Sequence, residues 1–407
     1  MSDFALLRAP SQILFGSGMA PAVGPIAAGY GRRALLCTDP VIAASDGFAS
    51  VTGALEEAGV TVTVFDGAEV DVPMTAIEAA VDAGREADPD VVIAVGGGSV
   101  IDLAKVTALL LRHPGPLSRY YAVGSTPAPI LPLIALPTTA GTGSEVTPVS
   151  VITDPARGMK VGVASPHLIP RHAICDPLLT LGAPATVTAH AGIDALSHAI
   201  EAAMAAESPA TPAVVERVQV GRNLLSDGLA LIAVQHIARH LVRAVEHGDD
   251  LEARGGMLYG SLLAGMAFGN AGVSAAHALQ FAIGAATKTS HGLGTGLLLP
   301  YVMEYNRPAR ADVLAHIADA LAVGAGLDGR HDPVAVVHDL GRRIGLPASL
   351  ADLGLALDDL PRLAEESVGI KRLIDNNPRP LDVDALLAIL TAAWHGEPAR
   401  LAAPVTA

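Results

Sequence analysis

The sequence predicts two domains, an α/β domain over residues 1–182 and an all-helical domain over residues 183–407. In the first part, short apolar runs rich in β-branched residues alternate with helical segments, which is typical of a parallel sheet with crossover helices. From Pro184 onward the strand signal disappears, and helical segments bounded by Gly, Pro or Asp follow one another. The length of 407 residues is ample for two hydrophobic cores.

The elements are predicted from local pattern, in chain order. β-Branched or unbroken apolar runs predict strands at 11–16, 33–38, 60–65, 90–95 and 132–137, and a hairpin at 149–154 and 158–163. Helices of the first domain are predicted at 46–59, which ends in a C-cap glycine, at 74–87, and from residue 98 through 111. Helices of the second domain are predicted at 186–204, 210–246, 251–268, 272–286, 310–325, 332–344, 358–368 and 382–394.

Composition disfavours several classes of protein. Hydrophobic residues make up 51 % of the chain and charged residues 16 %, which indicates a compact globular protein. The chain has no apolar run of about 18 residues, no secretory signal and two cysteines, Cys37 and Cys175, so we expect a cytoplasmic protein without a membrane span. The net charge of −15, without a basic block, disfavours nucleic acid as a partner.

Two polar segments follow predicted strands of the first domain. The turn from Gly96 to Ser99 opens a helix, where glycine lets backbone N–H groups approach a phosphate and the helix dipole favours negative charge. Tight turns also use glycine without any ligand. The stronger argument for a phosphate site is that the Gly96–Ser99 turn lies at the carboxyl end of a predicted parallel strand, where such sheets bind ligands. Residues 138–147 are dense in hydroxyl groups and glycine, which suits a nucleotide but is equally compatible with an ordinary polar loop. Lys160, on the predicted hairpin, could reach a ribose or phosphate, or could be a solvated surface lysine.

One carboxylate and three imidazoles in the second domain form a candidate metal-binding set. Asp194 and His198 are four residues apart in a segment of high helix propensity, so they are expected to share one helix face. His277 and His291 follow in short apolar or Gly-flanked contexts. Such a set suits Fe(II) or Zn(II). A lone histidine in an apolar helix is more often a hydrogen-bonded core residue, so the metal interpretation depends on the four residues together.

Together these motifs resemble the iron-dependent (group III) alcohol dehydrogenase family. The resemblance spans nearly the whole chain in the right order, and its threonine-glycine motif is highly specific. It is carried by Gly96–Ser99 with Asp102, residues 137–147, residues 192–201, His277, His291-Gly292 and residues 376–380. It implies a Rossmann-like dinucleotide-binding domain and an all-helical metal domain, the architecture of dehydroquinate synthase, with the active site in the cleft between them.

The resemblance also implies roles for individual residues. The metal ligands, which are also the catalytic groups, would be Asp194, His198, His277 and His291, with Fe(II) as the metal and Zn(II) as the alternative. The cofactor-binding residues would be Gly97, Gly98 and Ser99 at the pyrophosphate, Thr138, Thr139, Thr142 and Lys160 at the nicotinamide and ribose, and Val151 and Leu179 packing on the cofactor. Asp102 is also counted among the cofactor-binding residues. Asp39 falls where the family reads the adenosine ribose, and a carboxylate there favours NAD over NADP, unless Asp39 is merely a turn residue before Pro40.

The chain departs from the family pattern at Phe281. Many members carry a histidine at this point, four residues after the third ligand, which is thought to help relay the alcohol proton. Phenylalanine cannot carry a proton, and Gln280 is no substitute base. Together with Val149 and Phe268, which are expected in the pocket wall, Phe281 predicts an apolar pocket and a neutral alcohol or aldehyde as substrate.

We therefore expect reversible hydride transfer between NAD(H) and a metal-bound alcohol or aldehyde. Three alternatives stay open: a hydroxyacid–oxoacid transhydrogenase with tightly bound NAD, a lyase of the dehydroquinate synthase type, which would want basic residues in its pocket, and a non-catalytic metal- or nucleotide-binding relative. The resembled family also leads us to expect a homo-oligomer, a dimer that could pair through the strand at 11–16.

Overall fold

The structure is a computed structural model that describes residues 4–157, 159–329 and 331–402. The chain forms two compact units. The α/β unit comprises Arg8–Ala183 and Pro212–Val218, and the helical unit comprises residues 4–7, Pro184–Thr211 and the chain from Gln219 onward. The observed boundary lies one residue after the predicted one, and the segment 212–218 joins the α/β unit. Arg8 holds that segment, because its guanidinium donates 2.7 Å hydrogen bonds to the carbonyl oxygens of Arg217 and Val215.

The α/β unit contains one parallel sheet and one hairpin. Its strands are β1 Gln12–Phe15, β2 Arg33–Cys37, β3 Thr61–Phe65, β4 Val91–Gly96, β5 Leu133–Pro137, β6 Val149–Asp154, β7 Met159–Ala164 and β8 His172–Cys175. Its helices are α1 Val23–Ala28, α2 Pro40–Ala43, α3 Asp46–Glu57, α4 Met74–Ala87 and α5 Gly98–Arg112. Six strands form the sheet in the order β1-β8-β5-β4-β2-β3, all paired in parallel, and β6 pairs with β7 antiparallel. The predicted fold class is confirmed.

Hydrophobic burial on both faces explains why the central strands could be predicted. All six residues of β4 and all five of β5 are buried, and separate apolar clusters cover the two faces of the sheet. Strand β8 was not predicted, because its four residues, His-Ala-Ile-Cys, are too few to show a pattern. Strand β1 lies at an edge of the sheet, and its pairing across a dimer stays a prediction.

The direction of strand addition reverses between β2 and β4. From β2 the chain moves outward to β3, and from β4 it moves the other way, to β5 and then β8. Parallel sheets bind ligands outside the carboxyl ends of the strands at such a point. Asp39 follows β2 and Gly97 follows β4, so both predicted cofactor residues lie at this reversal.

The helical unit consists of helices that pack on one another. They are α6 Ala185–Met204, α7 Leu224–Glu246, α8 Leu251–Ala271, α9 Ala275–Thr287, α10 His291–Asn306, α11 Ala311–Ala325, α12 Pro333–Arg343, α13 Leu360–Val368, α14 Lys371–Ile374 and α15 Val383–His395. Among the residues described, no single helix is long and apolar enough to cross a membrane. Helices α8 and α9 meet that test only as a pair, bent by 101° where they join.

In this unit one predicted helix begins at the wrong residue, and one long helix was not predicted. The helix predicted at 210–246 begins at Leu224, because Asn223 caps it there with hydrogen bonds to the first turn and Ser226 completes a capping box. Upstream, 212–216 forms a short 3-10 turn. Helix α10 was not predicted at all, since three glycines and an internal proline, Pro300, suggest breaks in the sequence. It is nevertheless helical because nearly all of it is buried, and burial outweighs its weak propensity.

Candidate metal centre and phosphate-binding turn

Three of the four predicted ligands converge in the helical unit. One donor atom each from Asp194, His277 and His291 lies within 4.8 Å of the other two. Asp194 Oδ1 is 3.8 Å from His277 Nε2 and 3.9 Å from His291 Nε2. Donor atoms that bind one Fe(II) or Zn(II) ion at about 2.1 Å lie about 3–4 Å apart, so these distances fit a metal ion.

His198 lies beside the cluster without being one of those three. It follows Asp194 by one turn of α6, and its ring stacks on His277 with the centroids 4.7 Å apart. On its other side Phe268 stacks at 4.0 Å, with the rings 12° from parallel. Burial lowers the pKa of His198 to about 4, so the imidazole is neutral at neutral pH and can bind a metal.

Glu201 orients His277. His277 Nδ1 lies 2.5 Å from Glu201 Oε2, and the same carboxylate accepts hydrogen bonds from Ser274 N, Ser274 Oγ and Ala276 N. The ring therefore turns Nε2 toward Asp194, and among the described residues that buried nitrogen has no hydrogen-bond partner. Burial opposes it, but Glu201 raises the pKa of His277 above its ordinary value. A buried nitrogen without a partner, backed by a carboxylate, is what a metal-binding histidine requires.

Asp194 is oriented in the same way from α10. Thr295 Oγ1 donates a 2.8 Å hydrogen bond to Asp194 Oδ1. Burial alone would raise the pKa of Asp194, but His198, His291, His277 and this hydrogen bond together hold it below its ordinary value. Asp194 is therefore ionised, and it is the negative charge that the donor set offers to a cation.

Aromatic rings border the predicted ligands. Phe281 lies next to His291, with the ring centroids 6.2 Å apart, and Phe268 covers His198. Both phenylalanines belong to the helical unit, and the third predicted pocket residue, Val149, begins β6 in the α/β unit. Two of the predicted ligands, His198 and His291, therefore each have an apolar ring as a neighbour within the helical unit.

In the α/β unit the glycine turn and the threonine-glycine segment are in contact. Gly96 pairs with Pro137 between β4 and β5, and Thr138 N donates to Gly96 O at 3.1 Å. A Cβ on Gly98 would lie 2.5 Å from Thr142 Cγ2, so only glycine fits. Gly97 is the N-cap residue of α5, which leaves the first N–H groups of that helix available to an anion.

Asp102 and Lys105 on α5 hold residues 144–151 in place through hydrogen bonds. Asp102 accepts hydrogen bonds from Ser144 Oγ and from Val151 N at 2.8 Å, so both of its oxygens are engaged by the protein. Lys105, fully buried one turn later, donates to Ser144 Oγ, Thr147 Oγ1 and the carbonyl oxygen of Val149. Any effect of Asp102 on a cofactor therefore acts through the position of residues 138–151.

A second carboxylate, that of the buried Glu145, lies near Lys105. Burial raises the pKa of Glu145 to about 7 and lowers that of Lys105 to about 8. Among the described residues, Glu145 Oε1 has no hydrogen-bond partner. The threonine-glycine segment is thus supported by the buried Lys105 and Glu145 and by the partly buried Asp102.

The remaining predicted cofactor residues all belong to the α/β unit. Asp39 is the N-cap of α2, and its Oδ1 accepts hydrogen bonds from Val41 N and Ile42 N. Lys160 is only partly exposed and pairs with Asp71 at 2.5 Å. The other predicted residues that are not buried, and so are accessible in part, are Ser99, Thr139, Thr142, Val151 and Leu179.

Sequence reasoning missed the supporting residues Glu201, Thr295 and Lys105. Each carries a weak sequence signal. Glu201 follows Asp194 by seven residues and so shares its helix face, and Thr295 follows His291 by four. Lys105 is a charged residue on the buried face of α5. These spacings identify which face a residue is on, but only the structure shows which partner it meets.

With the two sites described, comparison with known proteins decides the family. Residues 10–177 match the family described as iron-containing alcohol dehydrogenase, and residues 188–394 match the Fe-containing alcohol dehydrogenase family, C-terminal. The chain belongs to the iron-containing alcohol dehydrogenase family. The resemblance that the sequence motifs suggested is confirmed, and with it the alcohol dehydrogenase function.

Individual relatives of this dehydrogenase agree over nearly their whole length. The 1,3-propanediol dehydrogenase of Klebsiella pneumoniae is 35 % identical over 370 residues, covering 89 % of this chain and 92 % of that protein. A crystal structure of a 1,3-propanediol oxidoreductase superposes with a TM-score of 0.88 at 33 % identity, covering 96 % of this chain and 100 % of the other. The sulfoacetaldehyde reductase of Bifidobacterium kashiwanohense in complex with NAD+ gives 0.83 at 29 % identity, covering 97 % and 99 %.

Proposed function

We propose that this alcohol dehydrogenase transfers hydride reversibly between NAD(H) and a neutral alcohol or aldehyde at the centre formed by Asp194, His198, His277 and His291. The proposal rests on His277 Nε2, which is buried, faces Asp194 and has no hydrogen-bond partner among the residues that the structure describes, while His291 Nε2 lies 3.9 Å from the same Asp194 oxygen. The glycine turn at the carboxyl end of β4 supplies the second requirement, an anion site for the dinucleotide.

The chemistry of each residue follows from its surroundings. A divalent metal ion held here would act as a Lewis acid, polarising the carbonyl for reduction and lowering the pKa of the alcohol for oxidation. Asp194 supplies one negative charge, and an imidazole binds a metal ion as a neutral donor, so a divalent ion held by this set would keep net positive charge for a developing alkoxide. Phe268 stacks on the ring of His198 and Phe281 lies beside His291, so each places a hydrocarbon ring next to a ligand.

The metal we propose is Fe(II). The family name and the mixed carboxylate–imidazole donor set support it, and the same donors would also accept Zn(II). Anaerobic loading with each metal in turn, followed by comparison of kcat, distinguishes the two.

The dinucleotide we propose is NAD. Asp39 caps α2 through Oδ1, and we assign the 2′-hydroxyl of the adenosine ribose to Oδ2, where a 2′-phosphate would be repelled. The NAD+ complex of the similar sulfoacetaldehyde reductase supports the same choice. A kcat/KM for NADPH equal to that for NADH would contradict this assignment.

The substrate class follows from the apolar surroundings of the ligands. Neither Phe268 nor Phe281 can neutralise a carboxylate or phosphate, which favours a neutral alcohol or aldehyde. The similarity to 1,3-propanediol dehydrogenase, named for a neutral diol, is in keeping with this.

The experiment is NADH oxidation with short, long and aromatic aldehydes, using protein loaded anaerobically with Fe(II) or Zn(II). We expect turnover that requires the metal and is lost in His277→Ala. The absence of turnover with every aldehyde, despite stoichiometric metal and bound NADH, would refute the proposal.

A further inference from the structure

The alcohol proton has no acceptor among the residues assigned so far. Each hydride that leaves an alcohol carbon is accompanied by one proton from the hydroxyl oxygen. Phe281 follows His277 by one helical turn and lies beside His291, but its hydrocarbon ring cannot take that proton. The four ligands themselves use their lone pairs for the metal.

A histidine and a serine form a hydrogen-bonded pair beside the ligands. Ser290 Oγ lies 2.9 Å from His190 Nδ1. His190 precedes the ligand Asp194 by one turn of α6, and Ser290 directly precedes the ligand His291. His190 is half-buried and Ser290 is exposed, so the pair connects the ligand-bearing elements to solvent.

The hydroxyl of Ser290 does not cap helix α10, although Ser290 is the N-cap residue. Ser290 is the N-cap residue of α10, where a serine hydroxyl usually accepts hydrogen bonds from the first N–H groups of the helix. It makes no such bond here and meets His190 instead. The contact is held by close packing, because a Cβ on Gly292 would lie 2.1 Å from the carbonyl oxygen of His190.

We propose that Ser290 and His190 relay the alcohol proton between the substrate oxygen and solvent. In oxidation the C–H bond of the alcohol carbon breaks, and its electron pair passes as hydride to the nicotinamide C4. The O–H bond breaks and its proton passes to Ser290 Oγ, which gives its own proton to His190 Nδ1. His190 then releases a proton from Nε2 to water, and carbonyl reduction runs the same steps in reverse. The relay rests on the dehydrogenase function proposed above.

The electrostatic surroundings suit this task. Burial lowers the pKa of His190, and among the described residues no charged side chain contributes to that shift. The titratable ligands on the two helices that meet here are Asp194 and His198 on α6 and His291 on α10. Only neutral imidazole accepts a proton, so a lowered pKa lets His190 serve as acceptor down to a lower pH.

The test uses the metal-loaded, full-length protein with four variants: His190→Ala, Ser290→Ala, Ser290→Thr and the control His236→Ala. His236 is a half-buried histidine of α7 whose pKa burial also lowers. We expect His190→Ala and Ser290→Ala each to lower kcat for alcohol oxidation about 100-fold, and to remove the fall in kcat at acidic pH that protonation of His190 causes. Ser290→Thr, which keeps the hydroxyl, and the control should stay within about threefold of the parent. Added imidazole should restore part of the activity of His190→Ala.

Two further readouts do not depend on turnover. The metal affinity of His190→Ala, measured by competition with a chelator, should equal that of the parent. In the metal-free protein, 15N NMR should show His190 protonated at Nε2 in the parent, and this preference should be lost in Ser290→Ala.

Three outcomes would overturn the relay. If His190→Ala keeps the kcat and pH profile of the parent, the relay is wrong and the dehydrogenase function stands. If His190→Ala loses metal together with activity and imidazole does not restore it, His190 is structural. A parent protein that oxidises no alcohol would overturn the function and the relay together.

Discussion

At the scale of single residues, Glu201 on α6 both anchors the start of α9 and orients the metal ligand His277 on that helix. Its buried carboxylate on α6 accepts hydrogen bonds from the backbone at the start of α9 and from His277 Nδ1. Those contacts hold the pKa of Glu201 below its ordinary value against the opposing effect of burial. Because the carboxylate is ionised, it stabilises the tautomer of His277 that carries its proton on Nδ1 and leaves Nε2 for a metal.

Replacing this carboxylate tests that coupling. We expect Glu201→Gln to weaken metal binding about 10- to 100-fold, since the amide binds Nδ1 less strongly and permits either tautomer. Competition with a fluorescent chelator measures the affinity directly. Glu252→Gln on α8, where the side chain is 73 % exposed, is the matched control and should bind metal like the parent. Equal affinities in both variants would show that Glu201 merely fills space.

Spacing and residue type in the sequence were enough to select the four candidate ligands, but not the residue that supports them. Asp194 and His198 were paired from their separation of four, and His277 and His291 from their chemical type. The structure brings donor atoms of Asp194, His277 and His291 within 4.8 Å of one another and stacks the ring of His198 on that of His277. Glu201 escaped notice because its partners, Ser274 and His277, lie more than 70 residues away in the chain. A buried carboxylate is recognisable only once its donors are known.

At the scale of elements, the approach of α6 and α10 depends on the absence of a side chain. A Cβ at Gly292 would lie 2.1 Å from the carbonyl oxygen of His190 and 2.9 Å from Asp194 Cβ. We expect Gly292→Ala to push the two helices apart. The melting temperature should fall, and the metal affinity should fall at least about tenfold. Gly228→Ala on α7, where a Cβ meets nothing within 4 Å, is the control. It should stabilise the protein by about 0.5–1 kcal/mol, because alanine favours a helix. Equal melting temperatures in thermal scans of the two variants would rule out the close approach.

Burial on both faces made some elements predictable from the sequence, whereas glycines concealed another. Strands β4 and β5 were predicted within one residue at each end, because burial on both faces requires an unbroken apolar run. Helix α10 was missed because Gly292, Gly294 and Gly296, which permit its close contacts, are the residues that usually argue against a helix. Its helical state comes from packing with neighbours far away in the chain, which no local pattern contains.

At the scale of the whole molecule, the predicted binding residues divide cleanly between the two units. Asp194, His198, His277 and His291 belong to the helical unit, and every residue predicted to bind the dinucleotide belongs to the α/β unit. The two binding steps therefore depend on different hydrophobic cores and different buried polar networks. Metal and dinucleotide affinities should respond to different mutations, although turnover needs both.

A pair of variants tests this separation. Asp194→Asn removes the negative charge of the donor set, so we expect metal binding to be lost while the Kd for NADH stays within about threefold of the parent. Gly98→Ala places a Cβ 2.5 Å from Thr142 Cγ2 and displaces the threonine-glycine segment from the turn. We expect it to raise the Kd for NADH at least about tenfold and to leave metal affinity unchanged. Gly53→Ala on α3, where a Cβ meets nothing within 4 Å, controls for the substitution itself. Loss of NADH binding in Asp194→Asn, or of metal in Gly98→Ala, would mean that the two sites are energetically coupled despite their division between the units.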